Sequence, residues 1–160
     1  PPMFVCAIIA AGGRGQRFGS QTPKQLMTIG GRTVLDRSVS LFLDHPAVRE
    51  IVVALPADLA AEPPRYLLDT PKPVRIVAGG ARRQDSVLNA FRAIDARADL
   101  VIVHDAARPF ASAGLIDRTI AAAAEAGAAL AALPARDTIK RARSATDPLV
   151  AETVPRDVIY

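Results

Sequence analysis

Short apolar runs alternate with helical patterns along most of this chain, and that alternation limits the fold more than any other feature of the sequence. Five runs are too short to be helices and predict strands at residues 4–10, 51–55, 74–78, 100–104 and 128–133. Apolar residues at helical spacing predict helices at 33–43, 86–94 and 115–126, and the last two are expected to cover a sheet face. Strands that are apolar on both faces and are separated by helices are typical of a mainly parallel sheet between helix layers. The sequence therefore predicts a doubly wound α/β fold.

The pattern changes after Pro134. Residues 137–142 and 149–154 are mixed polar and β-branched stretches around a turn-like segment at 144–148, so they predict a hairpin outside the main sheet. Residues 60–73 hold four of the thirteen prolines and show no clean period, which is typical of a connection or a short helix. A length of 160 residues suits one sizeable core. We therefore expect a single domain over 1–160 with an arm at about 135–160.

Charge and composition narrow the range of partners. The net charge is +4, carried by arginines spread along the chain, and aromatic residues make up 4% of it. These features do not favour nucleic acid, whereas a few convergent arginines and lysines suit a small polyanion such as a nucleoside triphosphate. No apolar run reaches the ~20 residues that cross a bilayer and no signal peptide opens the chain, so we expect a cytoplasmic protein without membrane contact. Cys6, the single cysteine, is predicted to be a small buried hydrophobe.

The strongest chemical signal follows the first predicted strand. Residues 10–19 read AAGGRGQRFG, and Pro-Lys-Gln follows at 23–25. Glycines let backbone N–H groups approach phosphate oxygens, while Arg17 and Lys24 supply positive charge where pyrophosphate would leave. The third glycine of the dinucleotide-binding fingerprint is replaced, no acidic residue ends the second strand, and the ending of a Walker loop is missing. The pattern therefore predicts a loop that binds the triphosphate of a nucleotide.

Four separated motifs together resemble one family. The first loop followed by Pro-Lys-Gln is the signature of sugar-phosphate and polyol-phosphate nucleotidyltransferases. The other three are GGARRQDSV at 79–87, HDAARP at 104–109, and PARDTIKR at 134–141 together with Thr153, Val154 and Arg156. The last of these resembles the projecting arm of enzymes that act on methylerythritol phosphate. The chain is thus identified as a member of the methylerythritol and ribitol phosphate cytidylyltransferase family, which implies a three-layer Rossmann-like nucleotidyltransferase fold with a projecting β-arm.

The resemblance implies a role for each matched residue. The residues that would bind CTP are Ala10, Ala11, Gly12, Gly13, Gly15, Gly80, Ser86 and Asp105. Arg17 and Lys24 would hold the triphosphate and act in catalysis. Asp105 would lie beside the ribose and Mg²⁺. A polyol phosphate would be the acceptor, bound by Arg156, Asp105 and Thr138, and the arm would reach a second subunit in a homodimer.

Simpler interpretations stand beside these roles. Serine is a common helix N-cap, so Ser86 could have only that structural role. Asp105 could likewise only cap the turn before Ala106. His104 is expected to be a packed and hydrogen-bonded strand histidine, because no further ligands at zinc spacing appear in the sequence. His45, which precedes a proline in a predicted turn, is expected to be exposed and without a function.

Other functions stay open at this point. They are transfer to ribitol 5-phosphate, a sugar-1-phosphate transferase that uses UTP or GTP, and a non-catalytic nucleotide-binding or dimerisation module. Ala81 stands where related cytidylyltransferases often have an acidic residue, so its side chain makes no polar contact with a base. The family domain also continues past the arm with a Thr-Pro-Gln segment and a late lysine, neither of which occurs here. We therefore expect a domain that is incomplete at its C-terminus.

Overall fold

The structure is a computed structural model that describes residues 3–13 and 23–160. Its elements in chain order are β1 (Val5–Ala10), β2 (Thr28–Ile29), β3 (Arg32–Thr33), α1 (Val34–Leu43), β4 (Val48–Leu55), α2 (Ala57–Ala61), β5 (Val74–Ala78), α3 (Arg83–Phe91), β6 (Leu100–Asp105), α4 (Ala113–Ala126), β7 (Ile139–Ala142) and β8 (Val150–Val154). Short 3₁₀ helices lie at Lys24–Leu26, Arg65–Leu67 and Arg156–Val158. The chain divides into two compact units, Pro1–Ala128 and Ala129–Tyr160.

Four parallel strands form the main sheet in the order β5-β4-β1-β6. Ala10 at the end of β1 pairs with Ala54 of β4 on one side and with Asp105 of β6 on the other. These three strands therefore end at the same level. Residues 5–9 of β1 are at most 1% exposed, as expected for a central strand that is covered on both faces. The predicted α/β class with a mainly parallel sheet is confirmed.

Different helices cover the two faces of the sheet. α1 and α4 pack on the face that carries Ile9, through Phe42 and Ile116. α3 packs on the opposite face, which carries Ile8, through Ala90. The three predicted helices are therefore present as α1, α3 and α4, with shifted ends. None of the helices in the described ranges has the length and apolar character needed to cross a membrane.

The start of α1 follows from its sequence. Thr33 has extended backbone angles, and its Oγ1 accepts a hydrogen bond from the backbone N–H of Asp36 at 3.0 Å. The buried side of the helix carries Leu35, Val39 and Phe42, which have the three- and four-residue spacing of one helix face. Capping and periodicity agree here, and the helix begins within one residue of its predicted start.

The predicted strand at 128–133 is wrong. These residues form no regular element, and Leu130 and Leu133 are 88% and 82% exposed. An apolar run becomes a strand only where its backbone N–H and C=O groups pair with a neighbour, and no described strand pairs with this run.

The buried face of α3 also differs from the prediction. The sequence pattern placed Leu88 and Phe91 against the sheet, but their exposed fractions are 47% and 52%. Ser86 and Ala90 are the buried residues of this helix. Ser86 lies against the backbone of Gly79, where a larger side chain would not fit, and Ala90 packs on the face that carries Ile8.

His45 is another residue whose surroundings differ from the sequence prediction. Its exposed fraction is 2%. Its Nε2 lies 3.2 Å from a carboxylate oxygen of Asp117, and its Nδ1 accepts from the backbone N–H of Ala47 at 3.3 Å. The prediction of an exposed residue was wrong because the His45 side chain lies against Asp117 of α4.

The second unit contains the predicted hairpin. β7 and β8 pair antiparallel, with Ile139 opposite Val154 and Lys140 opposite Thr153, and they form a sheet of their own. No residue from 129 to 160 is buried. A two-stranded hairpin without a core is marginally stable in water, so this unit needs contacts beyond its own 32 residues.

A buried carboxylate ties the central strand to neighbouring elements. Glu50 on β4 is 2% exposed, and it accepts hydrogen bonds from Arg75 Nε at 2.5 Å and from the backbone N–H of Asp95 at 2.9 Å. The Cys6 thiol on β1 lies 3.7 Å from the same carboxylate. Because every contact is a donor facing an acceptor, the buried charge is compensated.

Cys6 is expected to resist alkylation in the folded chain. Its side chain is buried, and burial together with the adjacent Glu50 raises the pKa of the thiol to about 12, so the reactive thiolate is scarce at pH 8. Iodoacetamide labelling followed by mass spectrometry should be slow for the folded chain and complete in urea. Fast labelling without denaturant would contradict the buried position.

Candidate functional site

Three turns lie together at the carboxyl ends of the parallel strands. The first follows Ala10, the second begins at Gly79 and the third begins at Asp105. The backbone N–H of Ala106 donates to the carbonyl of Ala10 at 3.1 Å, and that of Gly79 donates to the carbonyl of Leu55 at 2.6 Å. Open parallel α/β sheets bind their ligands at this edge. The described parts of the three predicted nucleotide-contacting motifs thus lie where a ligand is expected.

The first and second turns approach each other backbone to backbone. A Cβ atom added to Gly79 would lie 2.9 Å from the Cα of Gly12, and one added to Gly12 would lie 2.6 Å from the Oγ of Ser86. Both distances are too short for a side chain, so these two glycines are needed for packing of the turns. A Cβ added to Gly13, in contrast, would meet no described atom within 4 Å.

Ser86 holds the second turn in place. Its Oγ accepts from the backbone N–H of Gly80 at 3.0 Å and donates to the carbonyl of Arg82 at 3.3 Å, and its exposed fraction is 2%. Arg82 occupies the N-cap position of α3, so the interpretation of Ser86 as the helix N-cap was wrong. Its hydroxyl instead serves the turn before the helix. Contact between Ser86 and a base stays a prediction.

Gln25 fastens the glycine-rich loop, a role that the sequence did not reveal. Its side-chain Nε2 donates to the carbonyls of Ala11 and Gly13, each at 3.0 Å, and the residue is 5% exposed. Lys24 is the adjacent residue, at the start of a 3₁₀ helix, and its side chain is exposed. The Pro-Lys-Gln motif therefore combines an exposed cation with a buried amide that fixes the loop before it.

Gln25→Glu is expected to lower the free energy of unfolding by about 1–3 kcal/mol, because a carboxylate cannot donate and would face two carbonyl oxygens. The measurement is urea denaturation followed by circular dichroism. Gln84→Glu makes the same chemical change at an exposed position of α3 and should alter stability by less than about 0.5 kcal/mol. Equal effects of the two substitutions would show that the Gln25 amide does not hold the loop.

Asp105 lies at the end of β6 between two arginines. Its Oδ1 accepts from Arg83 through Nη2 at 2.7 Å and Nε at 2.8 Å, and its Oδ2 lies 3.3 Å from Arg108 Nε. The aspartate side chain is 32% exposed. The arginines come from different motifs, because Arg83 opens α3 and Arg108 follows β6. A carboxylate with this exposure is accessible to a ligand that displaces one of its partners.

Magnesium, which the resemblance implies, would need oxygen ligands. Mg²⁺ in nucleotide enzymes is usually held by one or two carboxylates, substrate phosphates and water, and the Asp105 carboxylate fits that donor set. A metal ion there would have to displace Arg83 or Arg108 from a carboxylate oxygen. Within the described ranges, no group of three or more His, Cys, Asp or Glu side chains is arranged to hold a metal ion.

His104 and Ser38 support the third turn from beneath. The ring of His104 packs edge-on against Phe42 with 5.0 Å between ring centroids, and its Nε2 lies 3.0 Å from the carbonyl of Arg108. Burial lowers the pKa of His104 below its ordinary value, which favours the neutral ring. Ser38 Oγ donates to the carbonyl of Ala106 at 2.7 Å. The interpretation of His104 as a packed, hydrogen-bonded strand residue is confirmed.

The geometry of the three turns does not test four further predicted site residues. Gly15 and Arg17 are outside the described residues. Thr138 and Arg156 belong to the second unit, where Arg156 Nη1 donates to the carbonyl of Arg136 at 2.6 Å. This contact fixes the guanidinium within the arm, and the roles of Thr138 and Arg156 toward an acceptor stay predictions.

Comparison with known proteins decides between the families that share such turns. The sequence model described as "IspD: 2-C-methyl-D-erythritol 4-phosphate cytidylyltransferase" matches residues 5–160. The chain belongs to this family. The resemblance noted in the four motifs is thereby confirmed.

Individual members of this cytidylyltransferase family are also similar to the chain over nearly its whole length. The bifunctional enzyme IspD/IspF of Anaeromyxobacter dehalogenans is 48% identical over 157 residues, which cover 98% of this chain and 40% of that enzyme. The 2-C-methyl-D-erythritol 4-phosphate cytidylyltransferase of Syntrophotalea carbinolica is 40% identical over 165 residues, which cover 99% of this chain and 68% of that protein. This chain thus spans less than half of the bifunctional relative and about two thirds of the single-function one.

Solved structures of the family show the same fold. The crystal structure of 4-diphosphocytidyl-2C-methyl-D-erythritol synthase from Anaerococcus prevotii matches with a TM-score of 0.86 and 29% identity, over 100% of this chain and 68% of that one. That of 2-C-methyl-D-erythritol 4-phosphate cytidylyltransferase from Thermus thermophilus matches with a TM-score of 0.72 and 37% identity, over 97% of this chain and 65% of that one. The predicted nucleotidyltransferase fold is confirmed.

Proposed function

We propose that this chain transfers CMP from CTP to 2-C-methyl-D-erythritol 4-phosphate and releases pyrophosphate, a step of non-mevalonate isoprenoid precursor synthesis. The observation that carries the proposal is the convergence of three family motifs at one edge of the sheet, where Gly12 contacts the second turn and Ala10 contacts the third. Family membership and the names of the relatives support the reaction and the acceptor. The cytoplasmic location expected from the sequence stays a prediction.

The nucleotide would lie across the three turns. Backbone groups at Ala10, Ala11, Gly12 and Gly80, with the Ser86 hydroxyl, would contact cytosine, and Asp105 would accept from the ribose. Gly13 and Gly15 would bring backbone N–H groups to the phosphates. No atom of the described residues lies within 4 Å of a Cβ added to Gly13, which supports this placement, since a phosphate needs to come close to the backbone there.

The chemistry requires two anions to meet. An oxygen of the acceptor phosphate attacks the α-phosphorus of CTP, the bond from that phosphorus to the bridging oxygen breaks, and pyrophosphate leaves. Arg17 and Lys24 would neutralise charge on the departing group, and the turns would hold the reactants in line. Mg²⁺, with Asp105 as its candidate protein ligand, would supply further positive charge when bound to the phosphates.

The acceptor site and the oligomeric state are linked. Arg156, Thr138 and Asp105 would bind the acceptor, with Arg156 at its phosphate, and we propose that the arm does so across a homodimer. The lack of any buried residue in 129–160 supports a partner for the arm, as do its exposed apolar side chains Leu130, Leu133, Leu149, Val150, Val158 and Tyr160. Sedimentation equilibrium should give the mass of a dimer, and a monomer at micromolar concentration would contradict this part of the proposal.

Pyrophosphate release is the decisive assay. The chain is incubated with CTP and Mg²⁺ and with either methylerythritol 4-phosphate or ribitol 5-phosphate, while CTP binding is measured by calorimetry. Turnover with the first acceptor supports the proposal, and turnover with ribitol 5-phosphate alone contradicts it. CTP binding without turnover would support the non-catalytic module, and preference for UTP or GTP would support a sugar-1-phosphate transferase.

A further inference from the structure

The Asp105 carboxylate is oriented by an arginine from another motif. Arg83 places two N–H groups on Oδ1, at 2.7 and 2.8 Å, whereas Arg108 reaches Oδ2 at 3.3 Å. Short charge-assisted hydrogen bonds are the stronger kind, so Arg83 makes the firmer contact. Arg108 is also the more exposed arginine, with a side chain that is 76% accessible against 61% for Arg83. A ligand would therefore displace Arg108 from Oδ2 at a lower cost in free energy than Arg83 from Oδ1.

The position of Asp105 makes this orientation matter. β6 is an edge strand of the described sheet, and the backbone of the third turn is fixed through Ala106, which donates to Ala10 and accepts from Ser38. These bonds place the backbone but leave the side-chain torsions of Asp105 unconstrained. Arg83 supplies that constraint from the start of α3, directly after the second turn. The second and third turns are thereby coupled through one ion pair.

The neighbouring Arg82 provides a contrast within the same turn. It contacts Asp85 through Nε at 3.1 Å and Nη2 at 2.9 Å, which closes the first turn of α3. Its side chain is 69% exposed, close to the 61% of Arg83. Two adjacent arginines of equal charge and similar exposure thus face different carboxylates, and only Arg83 contacts Asp105.

We propose that Arg83 is a positioning residue for ribose recognition: it holds the Asp105 carboxylate so that Oδ2 accepts a hydrogen bond from a ribose hydroxyl of CTP, with Arg108 displaced. A hydroxyl is a donor that suits a carboxylate oxygen, and a deoxyribose lacking that hydroxyl leaves the oxygen unsatisfied. The inference rests on the proposed CTP-binding function.

The test is calorimetric binding of CTP, 2′-deoxy-CTP and 3′-deoxy-CTP in EDTA, which removes any metal contribution. The unaltered chain should bind CTP about tenfold more tightly than at least one deoxy analogue, the factor expected for one charge-assisted hydrogen bond. Arg83→Ala should weaken CTP binding by about the same factor and abolish the preference. Arg82→Ala, the matched control, should leave both unchanged, and Arg83→Lys should restore part of the preference.

A double substitution separates positioning from direct contact. If Arg83 acts through Asp105, Arg83→Ala/Asp105→Ala binds CTP as Asp105→Ala does, whereas additive losses would overturn the proposal by showing that Arg83 contacts the nucleotide itself. If the unaltered chain binds CTP, equal CTP affinity and equal preference over the deoxy analogues in Arg83→Ala and Arg82→Ala would also overturn the proposal. Failure of the unaltered chain to bind CTP both in EDTA and with Mg²⁺ would instead refute the proposed function, and this inference with it. Melting temperatures of Arg83→Ala and Arg82→Ala equal to that of the unaltered chain would exclude a folding defect.

Discussion

Lys24→Ala is expected to slow pyrophosphate release by a factor of about 10²–10³, the loss that follows removal of one preorganised charge from a transition state. Lys24 is exposed, and its backbone is fixed beside the glycine-rich loop because the adjacent Gln25 holds the carbonyls of Ala11 and Gly13. Its ammonium group is therefore expected to face the triphosphate. The measurement is kcat for pyrophosphate release under saturating CTP and acceptor.

A binding measurement makes the same test independent of turnover. If Lys24 contacts the β- or γ-phosphate, Lys24→Ala should weaken CTP binding and leave CMP binding unchanged. Arg49→Ala is the matched control, because Arg49 is an exposed cation near the amino end of β4, at the opposite edge of the sheet. Normal turnover together with an unchanged ratio of CTP to CMP affinity would remove Lys24 from the proposed mechanism.

The parts of the fold that periodicity specifies were predictable from the sequence. β1, β4, β5 and β6 are apolar runs whose neighbours are also in the chain, and α1 combines a cap at Thr33 with a regular apolar face. The run at 128–133 has equal apolar character but no described strand to pair with. In α3 the predicted buried face was wrong, since Ser86 and Ala90 face the sheet while Leu88 and Phe91 are exposed. Local pattern therefore identified the elements, while tertiary packing decided which surfaces they bury.

The site was predictable to the extent that it follows strand ends. Each of the three turns follows a predicted strand, parallel strands end together at one edge of a sheet, and Ala10 does pair with Asp105. The contacts that fasten the site were not predictable. Gln25 reaches 12 and 14 residues back along the chain to Gly13 and Ala11, and Arg83 reaches 22 residues forward to Asp105. Both have the residue type of ordinary surface polar groups. Their roles depend on distances between elements, which one sequence does not encode in any local spacing.

Phe42→Ala is expected to lower the free energy of unfolding by about 3–5 kcal/mol, because it removes a large side chain from a packed core. Phe42 is fully buried in α1, and its ring packs edge-on against His104, one residue before Asp105. Loss of the ring would leave a cavity beneath the third turn. Water entering that cavity should raise the pKa of His104, which burial lowers in the intact chain. Urea denaturation gives the stability change, and NMR titration of the imidazole gives the pKa.

Phe91→Ala is the matched control, because Phe91 lies on α3 with half of its surface exposed and should change stability by less than about 1 kcal/mol. Phe42→Leu keeps most of the buried volume, so it should cost less than about 1.5 kcal/mol and remain folded if the alanine variant does not. If Phe42 is packed as described, the decrease in the free energy of unfolding should be largest for Phe42→Ala, smaller for Phe42→Leu and smallest for Phe91→Ala. Equal effects at positions 42 and 91 would mean that Phe42 does not support the third turn through His104.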